Sequence, residues 1–398
     1  MKAKIPLIVT LLFIISFFVA LYACNAESTF LTSGNLDARV YGHTATSIAS
    51  GTVFIPFIRE NGVVPTSHYP PFYPLVLSAL MKTGVSLDSS KAFVCMAGFS
   101  LTITLIFIQC LFLTKDKHIP SAIACSFFAF FSVAIYAVFF HAMSETVFIP
   151  LLMLSIFTLG RHIEGGGIKM LFISCVSVSL LPITRYLGIA AIASNCLALC
   201  LPLGNRKTRL VYKRFRDASI YGLFACIPGL LWFVYMSYTN TIRNDHFEPD
   251  LFARLLEPIS CIWYHFIPFG MPFYVQAIFS VIFVIAFTAL CYISFNRKNH
   301  NLFRLNADLS VWALFLIVYA GLLIVMTFVT GEPWPFAERI LVPYQIAFFL
   351  VLSIFIRKML TLQSTFLKYG FFAILFCYTP LAVYRAFYVL HQYHLCLK

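Results

Sequence analysis

The chain has 398 residues, 61% of them hydrophobic and 11% charged, with a formal charge of +13 and a mean hydropathy of +0.88. A water-soluble domain cannot bury so large an apolar fraction, so lipid is expected to be the solvent for most of the chain. Unbroken apolar runs, rather than short alternating segments, argue for helices and against a transmembrane barrel.

The runs predict an all-α integral membrane protein, one polytopic domain over 1–398 with about eleven spans. They fall at 5–23, 92–114, 119–140, 143–160, 168–184, 186–203, 218–236, 272–295, 309–330, 339–356 and 367–388. The first follows Lys2 and Lys4 and runs into "LYACNA". Its length, and the bulky Tyr22 before Cys24, favour an uncleaved span over a signal peptide.

Residues 24–91 form the first connection predicted to lie outside. A short helix is expected to start after Asn35 or Asp37 and to stop at Gly51. Its stripe of Val40, Tyr41, Ala45, Ile48 and Ala49 suits the membrane surface. A loop with Pro56 and an Asn61-Gly62 turn signal follows. Then "SHYPPFYPLVLSAL" (67–80) reads as a rigid aromatic elbow, its prolines leading into a helix of roughly 75–83 that is too short to span. The second long outside connection is 237–271, and 331–338 is a third, short and polar.

Basic residues set the orientation. With the N-terminus inside, the inside connections and adjoining helix edges carry 18 of the 28 basic residues and only four acids, Asp116, Glu164, Asp217 and Asp308. "NRKTRLVYKRFR" (205–216) is the strongest contributor. The positive charge is therefore read as a topology signal, and no nucleic-acid partner follows from it. Most of the 12 cysteines lie inside spans and read as small apolar residues, without a CxxC pair or zinc spacing.

The polar residues gather at the outside boundary. An acid followed by "Y…A…I…G" (Asp37, Tyr41, Ala45, Ile48, Gly51) precedes "PPFYPLVLSAL", then "MSETVFIPLLML" (143–154), "TRYLGIA" (184–190) and "ERILVPY" (338–344). In order, spacing and placement these motifs resemble the GT-C superfamily of membrane glycosyltransferases, over roughly residues 1–350. They look closest to the PMT/ArnT-like branch that uses polyprenyl-phosphate sugars. The resemblance implies a multi-span helical fold with two surface helices in the first outside loop. It implies a polyprenyl-phosphate-linked sugar as donor and a catalytic carboxylate in that loop, which matches Asp37. The second acid of the protein-mannosyltransferase pattern is replaced by Ala38.

On this reading Asp37 is the general base that takes the proton of an acceptor hydroxyl, although its position also suits a helix cap. Arg339, Arg185 and His68 are the candidates to hold the lipid phosphate, a guanidinium offering a permanently charged fork. Snorkelling to headgroups, or an ion pair with Glu338, would account for the arginines equally well. Tyr41, Tyr69, Tyr73, Glu145 and Glu338 are the candidates for substrate binding. The rings also suit an aromatic belt, and Glu145 with Ser144 also suits a helix cap. No histidine pair has the spacing of a metal helix, so no cofactor is predicted, and a divalent metal, left open, has no support in the sequence.

The expected function is inverting transfer of a sugar from the polyprenyl phosphate to a glycan, lipid or protein acceptor outside the cytoplasm. A bacterial inner membrane suits the compact chain better than the endoplasmic reticulum. The alternative is a transporter or flippase of lipid-linked sugars, which would line a path at mid-depth with polar side chains. A polysaccharide polymerase or ligase would place its largest outside loop late in the chain, whereas here it comes first.

Overall fold

The computed structural model describes residues 4–26, 36–52, 57–59, 62–64, 69–114, 118–132, 135, 139, 143–203, 211–238, 307–330 and 337–361. Among them the architecture is helical: α1 (Lys4–Ala26), α2 (Leu36–Ala49), α3 (Phe72–Met81), α4 (Leu87–Leu113), α5 (Ile119–Phe130) and α6 (Glu145–Ile163), then α7 (Gly167–Ser179), α8 (Ile189–Cys200), α9 (Val211–Tyr238), α10 (Ala307–Thr330) and α11 (Ala337–Thr361). The one departure is a short antiparallel pairing of β1 (Phe57–Arg59) with β2 (Gly62–Val64), where the Asn-Gly signal predicted only a loop. The expected spans at 272–295 and 367–388 lie outside the described residues.

Among the described residues, three helices are long and apolar enough to cross a membrane: α4, α6 and α9. Around α9 the side chains of Leu223, Leu230, Leu231, Phe233 and Val234 are exposed, a surface that suits lipid and would be costly in water. Helices α5, α7 and α8 have 12, 13 and 12 residues. At 1.5 Å per residue they reach about 18–20 Å, short of a hydrocarbon core of about 30 Å. The spans expected at 168–184 and 186–203 are thus shortened, for local reasons, while most of 133–140, the rest of the span expected at 119–140, lies outside the described residues. Pro182 and Pro202 follow the ends of α7 and α8 and cannot continue them. Just beyond α5, Ser132 donates to Gln345 Oε1 on α11 at 3.1 Å.

The main core is built by α4, α6, α8, α10 and α11, with Phe99, Phe107, Trp312 and Phe315 wholly or almost wholly buried. Several of its polar groups are paired within the bundle. Gln109 donates to the Met153 carbonyl at 2.9 Å and accepts from Trp312 Nε1 at 3.1 Å. Asn195 donates to Ser155 Oγ at 2.8 Å and to the Tyr221 hydroxyl at 2.9 Å, and Ser174 meets the same hydroxyl at 2.8 Å. These contacts join α6, α7, α8 and α9 to one another.

A second, smaller cluster lies at the other end of the sequence pattern. Tyr41 and Ala45 of α2 pack on Tyr73 and Leu77 of α3 and on Val94 of α4. The stripe expected to face lipid is largely covered by protein: Val40 and Ala45 are fully buried, and Tyr41 keeps 5% of its surface. The reason is the elbow, which folds α3 back across α2 and covers Tyr41 and Ala45, while Ile48 and Ala49 stay half-buried.

Candidate functional site

Helix α2 presents Asp37 in its first turn, half-buried. An acid there faces unpaired backbone N–H groups and the positive end of the helix dipole, so the sequence has a local reason to put a carboxylate at this spot. The Tyr69 hydroxyl donates to Asp37 Oδ1 at 3.1 Å. Tyr69 in turn stands edge to face with Tyr41, ring centroids 5.2 Å apart, and Tyr41 with Tyr73 at 5.3 Å. Such ring pairs add about 0.5–1.5 kcal/mol to simple burial, enough to fix the triad.

The elbow is held from below. The Phe72 backbone N–H donates to the Ile183 carbonyl at 2.9 Å, joining the "PPFY" turn to the segment just before Arg185. Arg185 is extended, and its backbone is tied at both ends, N–H to the Leu181 carbonyl and C=O to the Gly188 N–H, each at 2.8 Å. A Cβ at Gly188 would sit 2.3 Å from the Leu181 carbonyl carbon, so only glycine permits this close turn.

The Arg185 guanidinium forms an ion pair with Glu145 at the start of α6. The Glu145 side chain is 2% exposed and that of Arg185 21%. Burial works against the charge on Arg185; the Glu145 carboxylate outweighs it, with Tyr319, Tyr41 and Asp37 adding, and holds the group above its ordinary range. Ser144 does not cap α6 with its side chain. It donates to Glu145 Oε2 at 3.4 Å and accepts from the Tyr41 hydroxyl at 3.3 Å. Burial pushes the Tyr41 hydroxyl well up, so it stays protonated and remains a donor. One connected set therefore runs from Asp37 through Tyr69, Tyr41, Ser144 and Glu145 to Arg185.

Tyr73 is wholly buried and Tyr41 nearly so, their rings packed edge to face. Glu145 is likewise buried, its carboxylate paired with Arg185. Arg339 and Glu338 lie on the backbone of the first turn of α11. The same helix carries Tyr344, whose ring lies 6.1 Å from that of Tyr319 on α10. His68 lies outside the described residues. Tyr319, close enough for its hydroxyl to feel Arg185 and Glu145, was not marked by any motif; it looks like an ordinary tyrosine in an apolar run.

Beside this set is a cavity of about 490 Å³ between α3, α4 and α6. Its walls are almost entirely apolar, with Val76, Leu80, Val94, Gly98 and Val147 among them, and Thr146 and Val147 directly follow Glu145. The sequence matches no protein-family model and no curated protein.

Proposed function

We propose that the protein is a GT-C-type membrane glycosyltransferase, transferring a sugar from a polyprenyl-phosphate donor to an acceptor hydroxyl at the outer face. The observation that carries the reading is the joining of Asp37 to Arg185 through one hydrogen-bonded and ring-packed set, next to an apolar cavity. Glycosyl transfer from a lipid phosphate calls for these parts together: a base, a cation and an apolar site for the tail.

In the proposed reaction the acceptor oxygen attacks the anomeric carbon as Asp37 takes its proton. The bond from that carbon to the phosphate oxygen breaks, and its electron pair leaves with the polyprenyl phosphate. The configuration inverts. Arg185, kept charged by Glu145, steadies the phosphate as its charge grows. Arg339, on the first turn of α11, supplies the second cation. The cavity takes the isoprenoid units nearest the phosphate. The acceptor is a glycan, a lipid or a protein.

Two observations favour this reading over a transporter. Ser155, Ser174, Asn195 and Tyr221 bond to one another across helices, and Gln109 bonds to Met153 and Trp312. The described cavity is apolar. Purified protein in lipid, given polyprenyl-phosphate mannose and polyprenyl-phosphate 4-amino-arabinose with crude membrane acceptors, is expected to release polyprenyl phosphate from one of them. Movement of intact donor across the bilayer, with no release from either, would move the assignment to a flippase.

A further inference from the structure

We infer that Tyr69 is a positioning residue for Asp37: its hydroxyl fixes the carboxylate that receives the acceptor proton. The inference rests on the transferase reading above and adds a role to a residue that sequence alone assigned to substrate stacking or to an aromatic belt.

The first turn of a helix is where α-helices fray, and Asp37 stands there as the second residue of α2. A carboxylate on such a turn has no inherent reason to hold one orientation. A general base has to be held to roughly half an ångström, and a displacement of about 1 Å costs roughly a hundredfold in rate. A group outside the helix that holds the carboxylate is the Tyr69 hydroxyl, which donates to Oδ1 at 3.1 Å.

Tyr69 is mounted to do this. It precedes Pro70 and Pro71, which restrict its own backbone to extended conformations and lock the next two φ angles. The following Phe72 N–H is bonded to the Ile183 carbonyl, on the segment leading to Arg185. The ring edge contact with Tyr41 fixes the side chain. Tyr41 in turn reaches Ser144 and, through it, Glu145. The orientation of the base is thus referred to the same frame that holds the cation. The prolines of the elbow acquire a purpose: they make the donor of this hydrogen bond rigid.

Tyr69→Phe keeps the ring and its packing and removes only the hydroxyl. In lipid, with the donor that the wild type turns over, this variant is expected to lose roughly 10–100-fold in kcat while KM for the donor stays within about twofold. In an Asp37→Asn background the same change is expected to cost nothing more. Infrared difference spectra with ring-labelled tyrosine are expected to show the Tyr69 C–O stretch shifting on Asp37→Asn, independently of turnover. Wild-type kcat in Tyr69→Phe, a loss that multiplies with that of Asp37→Asn, or an unmoved infrared band would each overturn the positioning role and leave the transferase reading standing. A wild type that turns over no donor would overturn the transferase reading and the positioning role with it, even if the infrared band moves.

Discussion

Glu145 shows best how a single residue can be legible in type and illegible in role. "MSETVF" marks an acid at a helix start, and a cap with Ser144 is the economical reading of that pattern. The partner it takes instead, Arg185, is forty residues away, and nothing in the local sequence joins the two. Asp37 and Arg185 were both marked by motif, whereas Tyr319 was not, because its relevance comes only from the helix that carries it past Arg185. Removing one member of a buried ion pair strands the other, which typically costs about 3–5 kcal/mol. Glu145→Leu is therefore expected to lower the thermal midpoint of the purified protein by several degrees and to abolish turnover. Glu145→Gln, which keeps hydrogen-bond acceptance without the charge, is expected to fold with a smaller loss. An unchanged midpoint in Glu145→Leu, measured in the same lipid, would show that the pair does not hold α6 to the Arg185 turn.

At the scale of elements, helix existence was easier to read than helix extent. All nine expected spans that fall within the described residues contain a helix, because each is a long apolar run. Their ends were overrun where an apolar run continues past the helix. Proline explains this for α7 and α8 and could have been given more weight. Ser132, just beyond α5, meets Gln345, a contact across 213 positions for which no local signal exists. The burial of the α2 stripe was equally hidden, since it depends on α3 folding back. Glycines carry two of the tightest approaches. A Cβ at Gly98 would lie 2.1 Å from the Thr146 carbonyl oxygen, one residue beyond Glu145. Overpacking of this kind costs about 1–3 kcal/mol and moves backbone. Gly98→Ala is thus expected to push α6 from α4 and to lower turnover more than donor binding, read as kcat against KM. Gly188→Ala, at the turn after Arg185, is expected to weaken donor binding directly. Wild-type kinetics in both would contradict the close approaches.

For the whole molecule, composition and apolar length led to the same helical, lipid-suited architecture that the described helices have, while the count of spans and the orientation come from the sequence alone. The basic segments, above all 205–216, predict that one set of connections lies inside. Reporter fusions are expected to report an outside location within 24–91 and an inside one after residue 216; the reverse pattern would put Asp37 in the cytoplasm and remove the outer-face reading. The internal polar set contributes cohesion: Asn195→Ala takes both donors from Ser155 and Tyr221 and is expected to cost about 1–3 kcal/mol without altering KM for the donor. The central claim is that Asp37 performs the proton transfer for a sugar leaving a lipid phosphate. It is tested most directly by polyprenyl phosphate release from wild type, Asp37→Asn and Arg339→Ala in lipid, with donor binding measured alongside. The account predicts release by the wild type, a loss of at least roughly a hundredfold in Asp37→Asn with donor binding retained, and weakened donor binding in Arg339→Ala. Full-rate release by Asp37→Asn would contradict it.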